Sequence, residues 1–254
     1  MTKLNILSWN VNSLTQREQN GQLDWFYNED HDILCLQETK LKPHKRPESA
    51  YDLKGYYQYH SFSEKSPGYS GVAIFTKIKP LNIEKNFNGT YEGYGRIIKA
   101  EYDNFKLLNV YFPHETAPDC DHYHFYNEFL EYVKNLEKSQ VLICGDFNIA
   151  HHEKDLKNAN GEEMGFRKKQ RDLIDQLVGY GYWDTFRELN PKAEEYTFWL
   201  NGTKSREGIR GWRLDYFFAS NDLNITKAYI RDDIKGSLEC AGSDHCPIGV
   251  EVEF

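Results

Sequence analysis

Polar side chains occupy six connections between apolar runs in this sequence of 254 residues. They are of the types that bind cations, hold a water molecule or move a proton, and they are Asn10, Asn12, Glu38, Tyr111, Asp146, Asn148, Asp215, Asp244 and His245. One aspartate after a strand is usually a turn residue or a helix cap. Six such connections together indicate a site, because catalytic groups collect on loops at one end of a rigid sheet.

Oxygen ligands dominate this set, and it has no pair of cysteines or histidines with the spacing of a zinc site. Carboxylate and amide oxygens favour Mg²⁺ or Mn²⁺, and Glu38 is the best single candidate for a ligand. His245 could be held by one carboxylate and act on a phosphate. The Tyr111 phenol could donate a hydrogen bond to an oxygen on which charge develops.

The elements that would position these residues can be read from the apolar pattern. Strands are predicted at Leu4–Trp9, Ile33–Gln37, Val72–Thr76, Ile97–Tyr102, Lys106–Tyr111, Val141–Cys144, Leu214–Ala219, Lys227–Ile230 and Ile248–Val252. Helical periodicity predicts helices at His122–Leu136 and Lys168–Val178, with a weaker one at Leu23–Asn28. This mixture is typical of an α/β layered domain with a large β core. Because no Pro/Gly/Ser-rich linker divides the chain, we expect one domain over residues 1–254.

The composition limits the class of protein. A hydrophobic fraction of 39% with 15% aromatic residues argues against disorder. The net charge of −8 is a weak argument against nucleic-acid binding, since basic residues still cluster at 40–46, 167–171 and 204–213. Five cysteines without a Cys-x-x-Cys pair predict reduced thiols and an intracellular protein, cytoplasmic in a prokaryote. We find no charged-then-apolar leader and no apolar stretch of about 18 residues that would predict a membrane span.

Seven motifs, in order over nearly the whole chain, resemble those of exonuclease III-type AP endonucleases. They are Ser8-Trp-Asn-Val-Asn-Ser-Leu14, Leu36-Gln-Glu-Thr-Lys40, Gly68-Tyr-Ser-Gly71, Val110-Tyr-Phe-Pro113, Cys144-Gly-Asp-Phe-Asn148, Gly211-Trp-Arg-Leu-Asp-Tyr-Phe217 and Gly242-Ser-Asp-His-Cys-Pro247. The Gly-Asp-x-Asn and Ser-Asp-His motifs are shared with DNase I, sphingomyelinases and inositol-phosphate phosphatases. The motifs that begin at Leu36 and Gly211 are far more specific to the DNA-repair branch.

The resemblance implies a four-layer α/β sandwich of the DNase I type, with two packed mixed β-sheets flanked by helices. It implies Mg²⁺, or Mn²⁺, bound by Glu38 with Asn10, Asn12 and Asp244 in the metal shell. The catalytic residues would be Asp146, which aligns or deprotonates water, Asn148, which positions it, Tyr111 and His245, which contact the scissile phosphate, and Asp215, which orients His245. DNA would be bound by Lys40, Gly68, Tyr69, Arg96, Asn160, Phe198, Arg206 and Trp212. Phe198 and Trp212 would form the walls of a pocket for a base-less sugar.

Some of these residues also have plainer interpretations. Phe198 and Trp212 could be ordinary core aromatics, and Arg96 could be a surface charge. His151 is expected to be structural. The run Cys120-Asp-His122-Tyr-His124 lacks zinc-ligand spacing and lies where a helix begins.

The sequence also departs from the family pattern around the DNA-binding loops. Many members have Asp in place of Asn12, Asn in place of His114 and a basic residue in place of Ala117. The segment at 159–165 is shortened and acidic, with Glu162 and Glu163. The loop after Thr197-Phe-Trp199 has no bulky side chain at its tip, since Gly202 lies there. These changes leave the hydrolytic centre intact and affect the grip on DNA.

The sequence thus predicts a Mg²⁺-dependent phosphodiesterase that cuts duplex DNA 5′ to abasic sites and leaves a 3′-OH. A 3′–5′ exonuclease or 3′-end-cleaning activity is expected beside it, and the protein is expected to be a monomer. One alternative is a phosphodiesterase of the same fold that acts on RNA, inositol phosphates or a phospholipid head group. Another is a catalytically silent DNA-binding scaffold.

Overall fold

The fold was analysed in a computed structural model that describes residues 2–42, 53–87, 89–137, 139–157, 163–199, 211–233 and 242–254. Its strands are β1 Lys3–Asn10, β2 Ile33–Gln37, β3 Tyr57–Ser61, β4 Val72–Thr76, β5 Asn82–Glu84, β6 Ile97–Glu101, β7 Lys106–Tyr111, β8 Val141–Asp146, β9 Tyr182–Asp184, β10 Phe198–Trp199, β11 Gly211–Trp212, β12 Asp215–Ser220, β13 Asn224–Ile230 and β14 Ile248–Glu253. Its helices are α1 Leu14–Gln19, α2 Asp24–Asn28, α3 His122–Asn135, α4 Lys168–Gly179 and α5 Thr185–Leu189, with a 3-10 turn at Glu153–Asp155.

Most of the strands form two six-stranded sheets. The first has the order β13-β14-β1-β2-β4-β3 and the second β5-β6-β7-β8-β12-β9. The pairs β1–β2 and β7–β8 are parallel, whereas the other neighbours are antiparallel. Both sheets are therefore mixed. The remaining pair, β10–β11, forms a two-stranded antiparallel ribbon.

Three buried clusters define the layers. Alternate strand residues point to opposite faces of a sheet, and one face of each sheet contributes to a shared core that includes Ile33, Cys35, Leu142 and Val250. The outer face of the second sheet packs on α3 and α4 through a cluster that includes Ile143, Phe125 and Leu173. The outer face of the first sheet packs on α1 and α2 through a cluster that includes Leu36, Leu14 and Phe26. This confirms the predicted four-layer α/β sandwich.

The apolar pattern located the central elements and missed peripheral ones. The predicted strands at Ile33–Gln37, Val72–Thr76 and Lys106–Tyr111 have the observed bounds, because they are almost wholly buried. The prediction missed β3, β5, β9, β10, β11, α1 and α5. These are short or carry many polar residues, so their residues show little periodicity.

The structure tests the predictions of reduced cysteines and of no membrane-spanning helix. Cys35, Cys120 and Cys144 are free thiols, whereas Cys246 is disulfide-bonded. The expectation of wholly reduced thiols was therefore wrong at Cys246. Within the part of the chain that the structure describes, no helix is long and apolar enough to cross a membrane.

Candidate active site

The strand registers bring the predicted polar residues to one edge of the two sheets. Asn10 lies opposite Gln37 in the first sheet, and Glu38 follows with a left-handed backbone (φ 47°). In the second sheet, Asp146 lies between Tyr111 on one neighbouring strand and Asp215 on the other. Because the two sheets pack face to face, these ends lie side by side.

Asn10 links the carboxylates of the two sheets. Its Nδ2 donates to Glu38 Oε1 at 3.0 Å and to Asp146 Oδ2 at 2.9 Å. The Tyr111 hydroxyl donates to the same Glu38 oxygen at 2.9 Å. An amide that does not titrate thus fixes the spacing between two acidic groups.

Lys40 lies against the Glu38 carboxylate, with Nζ 2.9 Å from Oε2. Its ammonium also donates to Asn12 Oδ1 at 2.6 Å, and Asn12 Nδ2 donates to Asp244 Oδ1 at 3.0 Å. Burial alone would raise the pKa of Glu38, but Lys40 and Asn10 outweigh it and lower that pKa. Lys40 therefore acts as a counter-ion inside this cluster, and the DNA contact expected of it stays a prediction.

His245 lies between two aspartates. Its Nδ1 is 2.8 Å from Asp215 Oδ2, and its Nε2 is 3.8 Å from Asp146 Oδ2. Burial opposes the charged imidazole, but these two carboxylates raise the pKa of His245 well above its ordinary value. Burial, together with repulsion from Asp215 and Glu38, raises the pKa of Asp146 to about 8 even though His245 acts against the rise. The group can hold and exchange a proton.

Two sets of donors could hold a cation. Asp146, Asp215 and His245 each place one ligand atom within 4.8 Å of the others. A metal there would compete with the hydrogen bond that His245 makes to Asp215. The oxygen set of Glu38, Asn12 and Asp244 leaves the bond between His245 and Asp215 intact and suits a hard divalent cation, which would compete with Lys40 for Glu38 and Asn12. The Lys40 ammonium already places a positive charge next to the Glu38 carboxylate, which shows that this carboxylate is ionised and able to bind a cation.

Beside these groups is a cavity of about 330 Å³. Its lining residues are His114, Glu115, Asn148, Glu163, Met164, Gly165, Phe198, Trp212 and Leu214. Phe198 and Trp212 pair across β10 and β11, and the Phe198 ring lies 4.9 Å from the His245 ring. Trp212 is 8% exposed. Both rings therefore line a cavity next to the polar cluster, although part of each is packed.

Asn148 joins the cavity to the acidic cluster. Its backbone is left-handed (φ 53°), and its N–H donates to Asp146 Oδ1 at 2.9 Å. Its Nδ2 donates to the Phe112 carbonyl at 2.9 Å. The side chain is thereby held at the boundary between the acidic groups and the aromatic walls.

Arg96 is buried next to Tyr111 and is not a surface charge. It is 1% exposed, and its Nη2 pairs with Asp119 Oδ1 at 2.6 Å. Its guanidinium lies 4.9 Å from the centre of the Tyr111 ring and donates to the Tyr111 carbonyl at 3.2 Å. Burial and the ion pair exclude the surface-charge interpretation and make Arg96 a support for Tyr111, while its contact with DNA stays a prediction.

The remaining residues predicted to bind DNA lie partly near Arg96 and partly outside the described residues. The Tyr69 ring lies 5.9 Å from the Arg96 guanidinium, and Gly68 precedes it with a φ of 87° that favours glycine. Asn160 and Arg206, expected to bind DNA, lie outside the described residues, as does Gly202.

Three histidines outside the acidic cluster make structural contacts, as the sequence predicted for His151. His151 Nε2 pairs with Asp175 Oδ1 at 2.8 Å and does not join the acidic cluster. His122 Nδ1 contacts the Pro113 carbonyl at 2.6 Å, and His124 Nδ1 contacts the Tyr91 hydroxyl at 2.6 Å. The ring nitrogens of this segment thus have separate partners, which does not suit a shared metal.

Two residues that the sequence reading passed over hold the site together. Thr197 Oγ1 accepts from the N–H groups of Leu214 and Asp215, and the Thr197 carbonyl accepts from Cys246 N. Arg213 is fully buried and donates to the carboxylates of Asp155 and Asp184. Thr197 is the first residue of the Thr-Phe-Trp motif, and Arg213 lies within the motif that begins at Gly211. Membership of these motifs was the only indication in the sequence that the two residues belong to the site.

Comparisons with known proteins agree with this geometry. A sequence model of the Endonuclease/Exonuclease/phosphatase family matches residues 7–245. The chain is similar to DNA repair nuclease APEX1 of Danio rerio, with 38% identity over 96% of this chain and 81% of that protein. It is similar to an exodeoxyribonuclease of Bacillus subtilis, with 35% identity over 96% of this chain and 98% of the relative. It also matches Recombination repair protein 1 of Drosophila melanogaster at 38% identity, but spans only 37% of that protein.

Solved structures give the same result for the fold. An AP endonuclease from Archaeoglobus fulgidus superposes with a TM-score of 0.83 and 26% identity, over 97% of this chain and 98% of that one.

Proposed function

This chain belongs to the endonuclease/exonuclease/phosphatase family, and from that premise we propose that it is a Mg²⁺-dependent nuclease that cuts duplex DNA 5′ to abasic sites. The observation that supports this most is the adjacency of three parts. They are the oxygen cluster around Glu38, the His245 group and the cavity walled by Phe198 and Trp212. A phosphate at the first two would place the adjoining sugar beside the third.

Each residue has a proposed role in this reaction. Glu38 would hold the cation, with Asn10, Asn12 and Asp244 around it, and such a cation would supply positive charge that neutralises the phosphate. Asp146 aligns a water molecule and takes its proton, while Asn148 keeps that water in place. The water oxygen bonds to phosphorus as the bond from phosphorus to the 3′-oxygen breaks, and a proton donor converts the leaving 3′-oxygen to the 3′-OH.

His245 and Tyr111 stabilise the charge that develops on the phosphate. The two carboxylates beside His245 favour its imidazolium form, which donates a hydrogen bond to an oxygen and attracts the anion. Asp215 sets the direction of the ring through Nδ1. Burial raises the pKa of Tyr111 well above its ordinary value, so the phenol keeps its proton and remains a donor.

The cavity supports the preference for an abasic site. Its aromatic walls and its volume suit a sugar turned out of the duplex. Duplex DNA with 3′ ends is a second proposed substrate, because Ala117 leaves the neighbouring loop with little to insert into a base stack. We propose that the protein acts on both as a monomer.

A gel assay with a labelled duplex that contains one abasic site tests the proposal. We expect incision 5′ to the site with Mg²⁺ and no incision with EDTA. Parallel assays use RNA, an inositol phosphate and a phospholipid. Faster turnover of any of these would assign the fold to a different substrate, and metal-independent binding of DNA without cleavage would indicate a silent scaffold.

A further inference from the structure

His114 is the residue at which this chain departs from the amide common in its family, and it lies at the rim of the cavity. Its two ring nitrogens contact different partners. The Thr116 N–H donates to Nδ1 at 3.3 Å, and the Thr116 hydroxyl lies 3.0 Å from the same nitrogen. Nε2 lies 3.0 Å from the Tyr69 hydroxyl.

The contact with Thr116 fixes where the ring proton lies. A backbone N–H can only donate, so Nδ1 must accept. In a neutral imidazole one nitrogen accepts and the other carries the proton. The proton is therefore on Nε2, and Nε2 donates to the Tyr69 oxygen.

The surroundings keep His114 neutral. Burial and the nearby positive charge of Arg96 lower its pKa, and they outweigh Glu38 and Asp119, which act in the opposite direction. Glu115 lies next to it on the chain, but pairs with Arg167. A neutral ring keeps the Nδ1 lone pair that the Thr116 N–H needs.

The consequence appears at Tyr69. Because its oxygen accepts from His114, its own hydrogen is free to point elsewhere. Burial raises the pKa of Tyr69, so the phenol keeps that hydrogen. Tyr69 is half-buried in the turn after Ser66, with its ring 5.9 Å from the Arg96 guanidinium and its hydroxyl against the cavity-lining His114.

A phosphate oxygen can only accept a hydrogen bond. If Tyr69 donated to His114, it would present lone pairs to a DNA backbone and repel it. We propose that His114 is a positioning residue that fixes Tyr69 as a hydrogen-bond donor to a backbone phosphate of the DNA strand entering the cavity. This inference rests on the proposed function and adds to it a residue that the family pattern does not supply.

Two substitutions of His114 by neutral amides, Gln and Asn, distinguish a role in orienting the Tyr69 hydroxyl from a role in packing alone. The amide nitrogen of Gln takes the place of Nε2, so His114→Gln keeps a donor to Tyr69. The shorter His114→Asn reaches only the place of Nδ1 and loses that donor. The measurement is fluorescence anisotropy of a duplex with a tetrahydrofuran abasic site, in EDTA so that no cleavage occurs, with thermal melting to check that each variant folds.

We expect His114→Asn and Tyr69→Phe each to weaken binding by about tenfold, the scale of one hydrogen bond to a charged group. His114→Gln should stay within about twofold of wild type, and the double variant His114→Asn/Tyr69→Phe should bind no worse than Tyr69→Phe. With Mg²⁺, KM should rise while kcat is unchanged.

Three results would overturn the inference. They are wild-type binding by His114→Asn, equal losses in His114→Gln and His114→Asn, and additive losses in the double variant. The proposed function is judged separately by wild-type incision of an abasic duplex. A wild type that cuts normally while the variants fail these expectations overturns only the role of His114.

Discussion

His245 and Asp215 are joined by a hydrogen bond of 2.8 Å between Nδ1 and Oδ2, although 30 positions separate them in the chain. The bond turns Nε2 toward Asp146, 3.8 Å away. Asp215 begins β12 and its N–H is held by Thr197, which also binds the segment after His245. The direction of the imidazole is thus set by backbone contacts on both sides.

Asp215→Asn should lower kcat by about 10²–10⁴ with little change in KM, because proton transfer and charge stabilisation both depend on an oriented, charged ring. The measurement is steady-state incision of an abasic duplex. Asp175→Asn is the matched control. Asp175 contacts His151 with the same separation of 2.8 Å, but this pair lies outside the acidic cluster. Equal effects of the two variants would show that Asp215 has only a structural role.

Glu38→Gln should remove most activity, by several orders of magnitude, because it deletes the charged ligand and retains the shape. Incision should be measured over a range of Mg²⁺ concentrations. Some rate should return at high Mg²⁺ if the remaining oxygens still bind the ion. Near wild-type rates at saturating Mg²⁺ would contradict the assignment of Glu38 as the ligand.

Ala117→Arg should slow release of the nicked product. The Ala117 N–H donates to the carbonyl of His114, which lines the cavity, and this bond closes a turn. An inserted side chain that stacks on a base stabilises the complex by about 1 kcal/mol or more. Product off-rates on a nicked abasic duplex measure this, and Ala117→Lys separates charge from stacking. An unchanged off-rate in Ala117→Arg would mean that the chain grips DNA by another route.

Arg213→Met should lower the free energy of unfolding by about 3–5 kcal/mol, because it leaves the buried carboxylate of Asp155 with one fewer cation. Burial alone would raise the pKa of Asp155, but Arg213 and Arg187 lower it well below its ordinary value. Their stabilisation is therefore complete above the unfolded pKa of about 4 and is lost as the pH falls toward the folded value.

Chemical denaturation from pH 7 to pH 2 measures both effects. Wild type should lose stability over that range, and Arg213→Met should lose less. Lys77→Met, which breaks the exposed pair with Asp30, is the control and should change little. If Lys77→Met lowered the free energy of unfolding as much as Arg213→Met, the buried ion pairs would contribute no more to stability than an exposed one.

The sequence by itself determined the central strands, the fold class and the identity of the polar residues at the strand ends. Buried strands such as Val72–Thr76 are apolar throughout, so their pattern is visible in one dimension. Polar residues such as Glu38 stand out because they interrupt that pattern. The motifs then narrowed the chemistry to a metal-dependent phosphodiesterase.

Only the tertiary structure decided how these residues pair. Arg96 and Lys40 are basic in the sequence, but burial against Asp119 and contact with Glu38 give them internal roles. The proton position on His114 depends on Thr116 and Tyr69, which are 2 and 45 positions away. A side chain's charge state and direction depend on distances of a few ångströms between segments far apart in the chain, and a linear pattern does not contain those distances.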